Sequence, residues 1–468
     1  MSPELVTDLA VRLRSFWRRF RFCFRTQTRD GSEHAFHYLS GQLRLESKRT
    51  FVNLARTAAV SEQNIQHFMS NSPWAASAVF QQVQAEITAT PALGQGGMLV
   101  LDESAEAKSG DQSAGAARQY NGRLGKVDMS QVGTFLAYVN GPVWTWVDGE
   151  LFLPESWFAP DKADLRQRLG IPDTRQFATK VELGWQMIQR AKRNGLLFEA
   201  LGCDDLYGRV KWFRAALDRE QIIYMADVPA NTLVYLQRPW VGVPSGPVGG
   251  IGRPPVQPQV RTDSPPVMVA SVAHRPDTQR HTIRVRATER GEITGPFAFR
   301  RIWTISDDWA VREEWLVMRW EADGDCTYSL SNAPADVSMD RLALLKCIRY
   351  FGERSHQGAK SEAGWDDLQA RIYRAWEHHL ALTVLATWFV AQTKLDWMQQ
   401  RPRDPSLVQD FAVDVLPALS MANVRTLLRS VMPLPDLTPE EAAQLVAKHL
   451  ANRTSSRKSR MKTRARSP

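Results

Sequence analysis

The segment that decides the fold is "GMLVLDES", residues 97–104. Four apolar residues precede Asp102, and a short continuous apolar run bounded by turn residues is typical of a buried strand. The breaker cluster "PALGQGG", residues 91–97, separates this run from what precedes it. We therefore predict a strand that delivers the Asp102 carboxylate at its carboxyl end.

Strand and helix patterns alternate downstream of this segment. Alternation and turn residues predict two strands, "QVGTFLAYVNG" and "VWTWVDGELFLP", then a helix over 179–194, a strand in "LFEALGCDDLYG", a helix in "RVKWFRAALDRE" and a strand in "QIIYMADVP". This order of elements predicts an α/β fold with a mixed sheet. Four further alternating segments between residues 281 and 334 suggest an inserted β-rich region.

The region before the first strand is helical and basic. "RLRSFWRRFRFCFR", residues 12–25, interleaves arginine with aromatic residues, which suits either a helix that faces nucleic acid or an amphipathic helix with a basic rim. Both interpretations remain open. Ser61 and Ser72 are predicted helix N-caps.

The composition patterns predict six regions. They are a helical DNA-binding domain (1–94), the first part of the α/β core (95–236), a Pro/Gly-rich linker with the β-rich insertion (237–336), the rest of the core (337–395), a C-terminal helical region (396–452) and a basic disordered tail (453–468).

Bulk properties narrow the function. The 468 residues carry a formal charge of +9, which suggests a polyanionic partner and most simply nucleic acid. The four cysteines form no CxxC pair, so a zinc site is not indicated and a reducing cytoplasm is expected. The longest apolar run, residues 380–391, is too short to span a bilayer, so we expect no membrane association.

Three acids stand out by position: Asp102 after one strand, Asp204 or Asp205 after a later strand, and Glu353 on a helix. Side chains at the carboxyl ends of neighbouring strands converge, and hard oxygen ligands suit Mg²⁺ or Mn²⁺. Two such ions would support phosphodiester transfer. Each acid also has an ordinary explanation, because an aspartate after a strand is often a turn former or N-cap and a helical glutamate is usually solvated.

The spacing around Glu353 adds a second argument. Arg349 lies one helical turn before it and Lys360 two turns after it, so all three share one helix face. A metal-binding glutamate between two cations could hold an ion while the cations hold DNA phosphates. Ordinary salt bridging along the helix would explain the same spacing.

Beyond these patterns, the amino-acid sequences of several segments resemble those of bacterial insertion-sequence transposases of the DDE superfamily, the cut-and-paste group with a Y-R-E-K signature. The segments that carry the resemblance are "LVLDES", "GAARQYNGRLGKVDMSQVG", "LGCDDLYG", "YSLSNAP" and "GERSHQGAKSEAGWDD". The resemblance covers about residues 95–392, and more weakly 33–90. Arg349, Glu353 and Lys360 fit the gaps of the signature, whereas Lys346 occupies its tyrosine position.

This resemblance implies a ribonuclease-H-like catalytic core with a β-rich insertion. It implies that Asp102, Asp204 and Glu353 are the catalytic acids and bind two Mg²⁺ ions, with Mn²⁺ as a substitute, and that Arg349, Lys360 and Lys346 contact DNA phosphates. The implied partners are the terminal inverted repeats of the element and its target DNA, with a homodimer in the DNA complex and no small-molecule substrate. The implied location is the bacterial cytoplasm, at the nucleoid.

In relatives, an aromatic residue of the insertion stacks on a flipped base during hairpin formation. The candidates here are Trp303, Trp309, Trp315 and Trp320, although a tryptophan in an alternating strand is more often a core residue. Two other functions stay open. One is an inactive or domesticated transposase that only binds DNA, which Lys346 and the unusual Gly352 would fit, and the other is a nuclease or resolvase on the same fold.

Overall fold

The computed structural model describes residues 3–141, 143–244, 256–288, 291–400, 419–434 and 439–464. The helices are α1 (Pro3–Phe20), α2 (Ser32–Arg44), α3 (Phe51–Thr57), α4 (Glu62–Ser70), α5 (Ala76–Ala89), α6 (Ala163–Arg168), α7 (Lys180–Arg193), α8 (Asp205–Gly208), α9 (Lys211–Arg219), α10 (Val269–Ala273), α11 (Met339–Cys347), α12 (Arg349–Gln357), α13 (Tyr373–Gln400), α14 (Met421–Val431) and α15 (Pro439–Arg464).

The strands are β1 (Met98–Ala107), β2 (Ala117–Asn121), β3 (Lys126–Asn140), β4 (Val143–Leu151), β5 (Ala200–Cys203), β6 (Ile223–Val228), β7 (Leu233–Val234), β8 (Trp240–Gly242), β9 (Gln259–Arg261), β10 (Val267–Met268), β11 (His281–Thr288), β12 (Gly291–Ile305), β13 (Val311–Trp320) and β14 (Cys326–Ser331). Within the described residues, ten strands form one sheet in the order β11-β12-β13-β14-β6-β5-β1-β3-β2, with β4 also paired to β3. The strands β1, β5 and β6 are parallel and the others antiparallel, which confirms the predicted mixed sheet.

The β-rich insertion continues the core sheet. Its last strand, β14, pairs with the core strand β6 from Tyr328 to Leu330. This pairing covers an edge that would otherwise expose unpaired backbone groups. A second apolar cluster, which includes Ile302, Leu316 and Leu330 of the insertion, also contains Val228 of β6.

The basic, aromatic segment of α1 faces inward. Phe16, Trp17 and Phe20 are buried, and Phe16 contacts Phe389 of α13. The neighbouring arginines form a rim, in which Arg19 pairs with Glu86 on α5. Of the two interpretations of this segment, the structure therefore supports the amphipathic helix with a basic rim.

Helices cover both faces of the central strand β1. A side-chain carbon added to Gly184 of α7 would lie 2.5 Å from Leu101, and one added to Gly352 of α12 would lie 2.5 Å from Val100. Leu101 and Val100 are consecutive and point to opposite faces. Helices α7 and α12 therefore lie on opposite faces of the sheet, each close to the strand that carries Asp102.

Two predicted boundaries differ from the structure. Helix α15 runs to Arg464, through most of the segment predicted to be a disordered tail. No glycine or proline follows Pro439 within this helix, and lysine and arginine are good helix formers, so its charge does not prevent a helix. The helix predicted after Ser72 begins at Ala76 instead, and Trp74 in the segment before it is stacked on Phe68. None of the described helices has the length and apolar character needed to cross a membrane.

Candidate active site

The site begins with two aspartates on neighbouring parallel strands. The last paired residues of β1 and β5 are Leu101 and Cys203, so Asp102 and Asp204 occupy the next position on each strand. The prediction that β1 ends at Asp102 is wrong, because β1 continues to Ala107 in antiparallel pairing with β3. The two carboxylates nevertheless lie side by side where the parallel pairing ends.

Asp204 lies at the start of the short helix α8, as its N-cap. Its Oδ1 accepts a hydrogen bond of 3.1 Å from the backbone N–H of Leu206. Burial, together with the negative charge of Asp102, raises the pKa of Asp204 to about 7. The adjacent Asp205 instead pairs with Arg209 at 2.6 Å at an exposed position, so the two acids of "CDD" have different environments.

Asp102 has a partner that sequence reasoning missed. Burial raises its pKa, but His356 and the charge of Arg349 outweigh burial, and the pKa of Asp102 falls below its usual value. Nε2 of His356 lies 3.6 Å from Oδ2 of Asp102. The spacing of His356, three residues after Glu353, could have identified it as a residue on the same helix face.

The imidazole of His356 is held by aromatic packing. It makes edge contacts with Phe135 and Trp146, whose ring centroids lie 5.4 Å and 5.3 Å away. Its Nδ1 is buried and has no hydrogen-bond partner among the described residues. The ring therefore has one nitrogen near Asp102 and an unsatisfied polar atom on the other side.

Glu353 lies on the same helix but apart from the two aspartates. Its Oε1 is 3.3 Å from Nη2 of Arg349, and 59% of its side chain is exposed. No group of three His, Cys, Asp or Glu side chains in the described part of the chain is arranged to hold a metal ion. The structure thus brings Asp102 and Asp204 together, whereas the exposed carboxylate of Glu353 is turned toward Arg349.

The two predicted phosphate-binding lysines lie in ion pairs. Nζ of Lys360 is 2.8 Å from Oε1 of Glu106, near the end of β1. Nζ of Lys346 is 2.7 Å from Oδ1 of Asp227, and only 4% of the Lys346 side chain is exposed. In this conformation the phosphate contact predicted for Lys346 is not available, because its ammonium is buried against a carboxylate.

The carboxylate pair suits a hard divalent cation. Asp102 and Asp204 are partly buried and repel each other. Burial and this repulsion together raise the pKa of Asp204. A cation between two carboxylates would relieve that repulsion, and oxygen donors are the ligands that Mg²⁺ and Mn²⁺ prefer. The donor set therefore fits the metal chemistry expected from the sequence.

A protruding hairpin, formed by β2, β3 and the turn at 122–125, continues the sheet face that carries Asp102. Asp102 is paired with Phe135, and Arg118 is paired with Met129 of the same strand. Directly paired residues point to the same face, as do residues an even number apart. Arg118 and the neighbouring Tyr120 therefore share this face, and both are exposed.

Among the four candidate tryptophans, Trp309 has a distinct position. It lies in the turn between β12 and β13 and is 42% exposed, with a backbone φ of 65°. Trp320 is buried, and the indole N–H of Trp315 donates to the carbonyl of Pro334. A non-glycine residue at positive φ is strained, so this turn adopts its backbone conformation at some cost.

Comparisons with known proteins agree with this chemistry. A family model described as DDE superfamily endonuclease matches residues 19–292, which is more than half of the chain. The chain is also similar to a probable transposase for insertion sequence element IS701 from Microchaete diplosiphon, with 26% identity over 206 residues. That alignment covers 43% of this chain and 50% of the relative, so the chain spans about half the length of the curated protein it matches.

Proposed function

The chain belongs to the DDE superfamily endonucleases, and on this premise we propose that it is a DNA transposase. The proposed reaction is cleavage at the ends of an insertion sequence and joining of the 3'-hydroxyls to target DNA. The observation that carries the proposal is the pairing register of β1 and β5, which sets Asp102 beside Asp204. The relative named as a probable transposase supports the same reaction.

Asp102 and Asp204 would hold divalent metal, with Mg²⁺ as the proposed ion and two ions per site as the proposed number. When bound, such ions activate a water or hydroxyl oxygen and stabilise the leaving oxygen of a phosphodiester. The chain contributes the fixed positions of the carboxylates. Asp204 is held by its cap to Leu206 N–H, and Asp102 by a bond of 2.8 Å from Glu103 N–H.

Glu353 is the proposed third ligand. Its carboxylate is more than half exposed and contacts Arg349 across one helical turn. An exposed pair of this kind contributes little to stability, so Glu353 can exchange Arg349 for a cation without disturbing a buried contact. Arg349 would then be available to a DNA phosphate while it remains bound to Asp227, 3.0 Å away.

The proposed DNA track runs from Arg349 past Lys360 to the protruding hairpin. Lys360 is at the Glu106 end of β1, and Nη1 of Arg123 in the hairpin lies 4.0 Å from Glu106. With Arg118 and Tyr120, these residues offer cations and an aromatic ring on the Asp102 side of the sheet. Lys346 is not part of this track. The proposed partners are element ends bearing inverted repeats and target DNA, and the proposed assembly on DNA is a homodimer.

Trp309 is the proposed base-stacking residue, because it combines exposure with a position in the turn between β12 and β13. On nicked element ends, Trp309→Ala should reduce hairpin formation, whereas Trp320→Phe at a buried position should not. Equal hairpin yields from the Trp309→Ala variant and the wild type would remove Trp309 from this role.

The proposed function is tested by strand cleavage on DNA that carries the ends of the element encoding this chain. With Mg²⁺, the wild type should nick the ends, and Glu353→Gln should lose more than about 100-fold in rate, since loss of an outer partner of a metal ligand alone costs 10–100-fold. Specific end binding with no cleavage in Mg²⁺ or Mn²⁺ would favour a DNA-binding protein without catalysis. Full activity of Glu353→Gln would show that another residue is the third acid.

A further inference from the structure

A third aspartate lies in the same row as the catalytic pair. Cys203 of β5 is paired with Ala226 of β6, as it is with Leu101 of β1. Asp227 therefore follows the last paired residue of β6 in the way that Asp102 and Asp204 follow theirs. Three adjacent parallel strands thus each place an aspartate at the same level.

The contacts of Asp227 differ from those of the other two aspartates. Its Oδ1 accepts from Oγ of Ser329 at 2.5 Å and lies 2.7 Å from Nζ of Lys346. Its Oδ2 accepts from Nη1 of Arg349 at 3.0 Å. Burial raises the pKa of Asp227, but the adjacent Lys346 lowers it by more, so that the pKa of Asp227 is below its usual value. Both of its oxygens are therefore already engaged with cations.

These contacts tie three elements together. Lys346 is on α11, Arg349 begins α12, and Asp227 is at the end of β6. One carboxylate consequently fixes two successive helices to the sheet at the level of Asp102 and Asp204. Arg349 also pairs with Glu353, so the position of Arg349 also sets the position of the Glu353 carboxylate.

We propose that Asp227 is a positioning residue for the active site: it anchors Arg349 and Lys346, and through them it sets α12 over the two aspartates. It is not a metal ligand itself. The catalytic part of this inference rests on the proposed function, whereas the anchoring of α12 does not.

The anchor accounts for the departure at the tyrosine position of the signature. An ammonium as buried as that of Lys346 requires a carboxylate nearby, and Asp227 supplies it. Lys346 and Asp227 therefore form a matched pair, in which lysine at this position is compatible with an intact site. Loss of the acid leaves Lys346 buried without its carboxylate, while loss of the lysine leaves Asp227 still paired with Arg349.

The pair is tested in the full chain with Asp227→Asn, Lys346→Met and the double variant, with the exposed Asp307→Asn as the matched control. Asp227→Asn should lower Tm by about 5 °C or more, because it leaves a buried charge without its partner. Lys346→Met should lower it less, and the double variant should recover most of the loss. An unchanged Tm for Asp227→Asn, or additive losses in the double variant, would overturn the pairing.

Positioning is separated from simple stabilisation by hydrogen exchange. In the double variant, the amides of 349–357 should exchange several-fold faster than in the wild type even though Tm has recovered, because Arg349 has lost its charged anchor. If protection of these amides returns together with Tm, Asp227 is only a structural residue and the proposal fails.

Cleavage of element ends gives the catalytic readout. The double variant should still bind the ends but nick them more slowly, so that kcat falls by a larger factor than KM rises. A wild-type rate in the double variant would overturn the positioning role. If the wild type itself does not cleave, the proposed function fails, whereas the Tm and exchange measurements still decide whether Asp227 anchors α12.

Discussion

Gly352 of α12 lies directly over Val100 of β1, so closely that a Cβ on Gly352 would be 2.5 Å from Cγ1 of Val100. Val100 is two residues before Asp102, and Gly352 immediately precedes Glu353. The absence of a side chain at 352 therefore lets the helix with the proposed third acid approach the strand with the first. The glycine is explained by this approach and is no indication of lost activity.

Gly352→Ala should destabilise the protein and displace α12. Forcing a methyl group into this contact costs about 1–3 kcal/mol, which equals or exceeds the gain of about 1 kcal/mol from replacing glycine in a helix. Urea unfolding of this variant and of Gly110→Ala, where a Cβ meets nothing within 4 Å, measures the difference. Equal stability of the two variants would mean that α12 has room to move away from β1.

His356→Phe should slow cleavage without unfolding the protein. Phenylalanine retains the aromatic packing on Phe135 and Trp146 but removes the nitrogen that lies 3.6 Å from Asp102. Loss of a group that orients a metal ligand costs about 10–100-fold in activity. The check is the nicking rate at saturating DNA together with Tm. A normal rate with a normal Tm would show that His356 does not act through Asp102.

The hairpin cations should contribute to DNA affinity. Replacing both Arg118 and Arg123 by alanine should reduce the slope of log K against log salt by up to about 1.8, since each lost phosphate contact accounts for about 0.9. Arg219→Ala on α9 is the control, because Arg219 is exposed on a helix that packs, with α7, on the opposite face from α12. If the wild type and the Arg118→Ala/Arg123→Ala variant had the same salt-dependence slope, the DNA would not contact the hairpin.

His379 should make the fold sensitive to acid. Burial lowers the pKa of His379 from 6.5 to about 4, and the neutral ring bonds to Tyr38 and to the carbonyl of Trp365. Between pH 6.5 and about pH 4, the unfolded chain therefore binds a proton at His379 that the folded chain does not. The contribution of His379 to stability is complete above about pH 7 and is lost as the pH falls toward 4.

This loss amounts to roughly 2 kcal/mol at pH 5 for His379 alone. Urea unfolding at pH 7 and pH 5 should therefore show a pH-dependent loss that is smaller by about that amount in His379→Gln than in the wild type. Because each protein is compared with itself at the two pH values, the stability lost with the hydrogen bonds of His379 cancels. An identical pH-dependent loss in both proteins would contradict the assignment.

Local sequence patterns predicted those features of the site that are determined within a single strand. The apolar runs before Asp102 and Asp204 identified buried strands, and parallel pairing of those strands brought the acids together. The same signal was present in "QIIYMADVP", where Asp227 follows an apolar run, yet its role depends on strand order. Only the position of β6 beside β5 shows that Asp227 belongs to the same row.

Contacts between distant segments could not be predicted from local patterns. Lys346 is 119 residues from Asp227 in sequence, and its burial follows from the packing of α11 on the sheet. His356 contacts Asp102 because α12 lies directly on β1, a closeness that Gly352 permits. The extent of β1 beyond Asp102 likewise depends on its partner, the 15-residue strand β3.

The most direct measurement compares two adjacent acids in the same assay. Asp204 lies beside Asp102, whereas Asp205 is exposed and paired with Arg209. In Mg²⁺-dependent nicking of element ends, Asp204→Asn should lose more than about 100-fold in rate, as a direct ligand rather than an outer partner. Asp205→Asn should cleave like the wild type. Equal effects of the two substitutions, or the reverse order, would contradict the assignment of Asp102 and Asp204 as the catalytic pair.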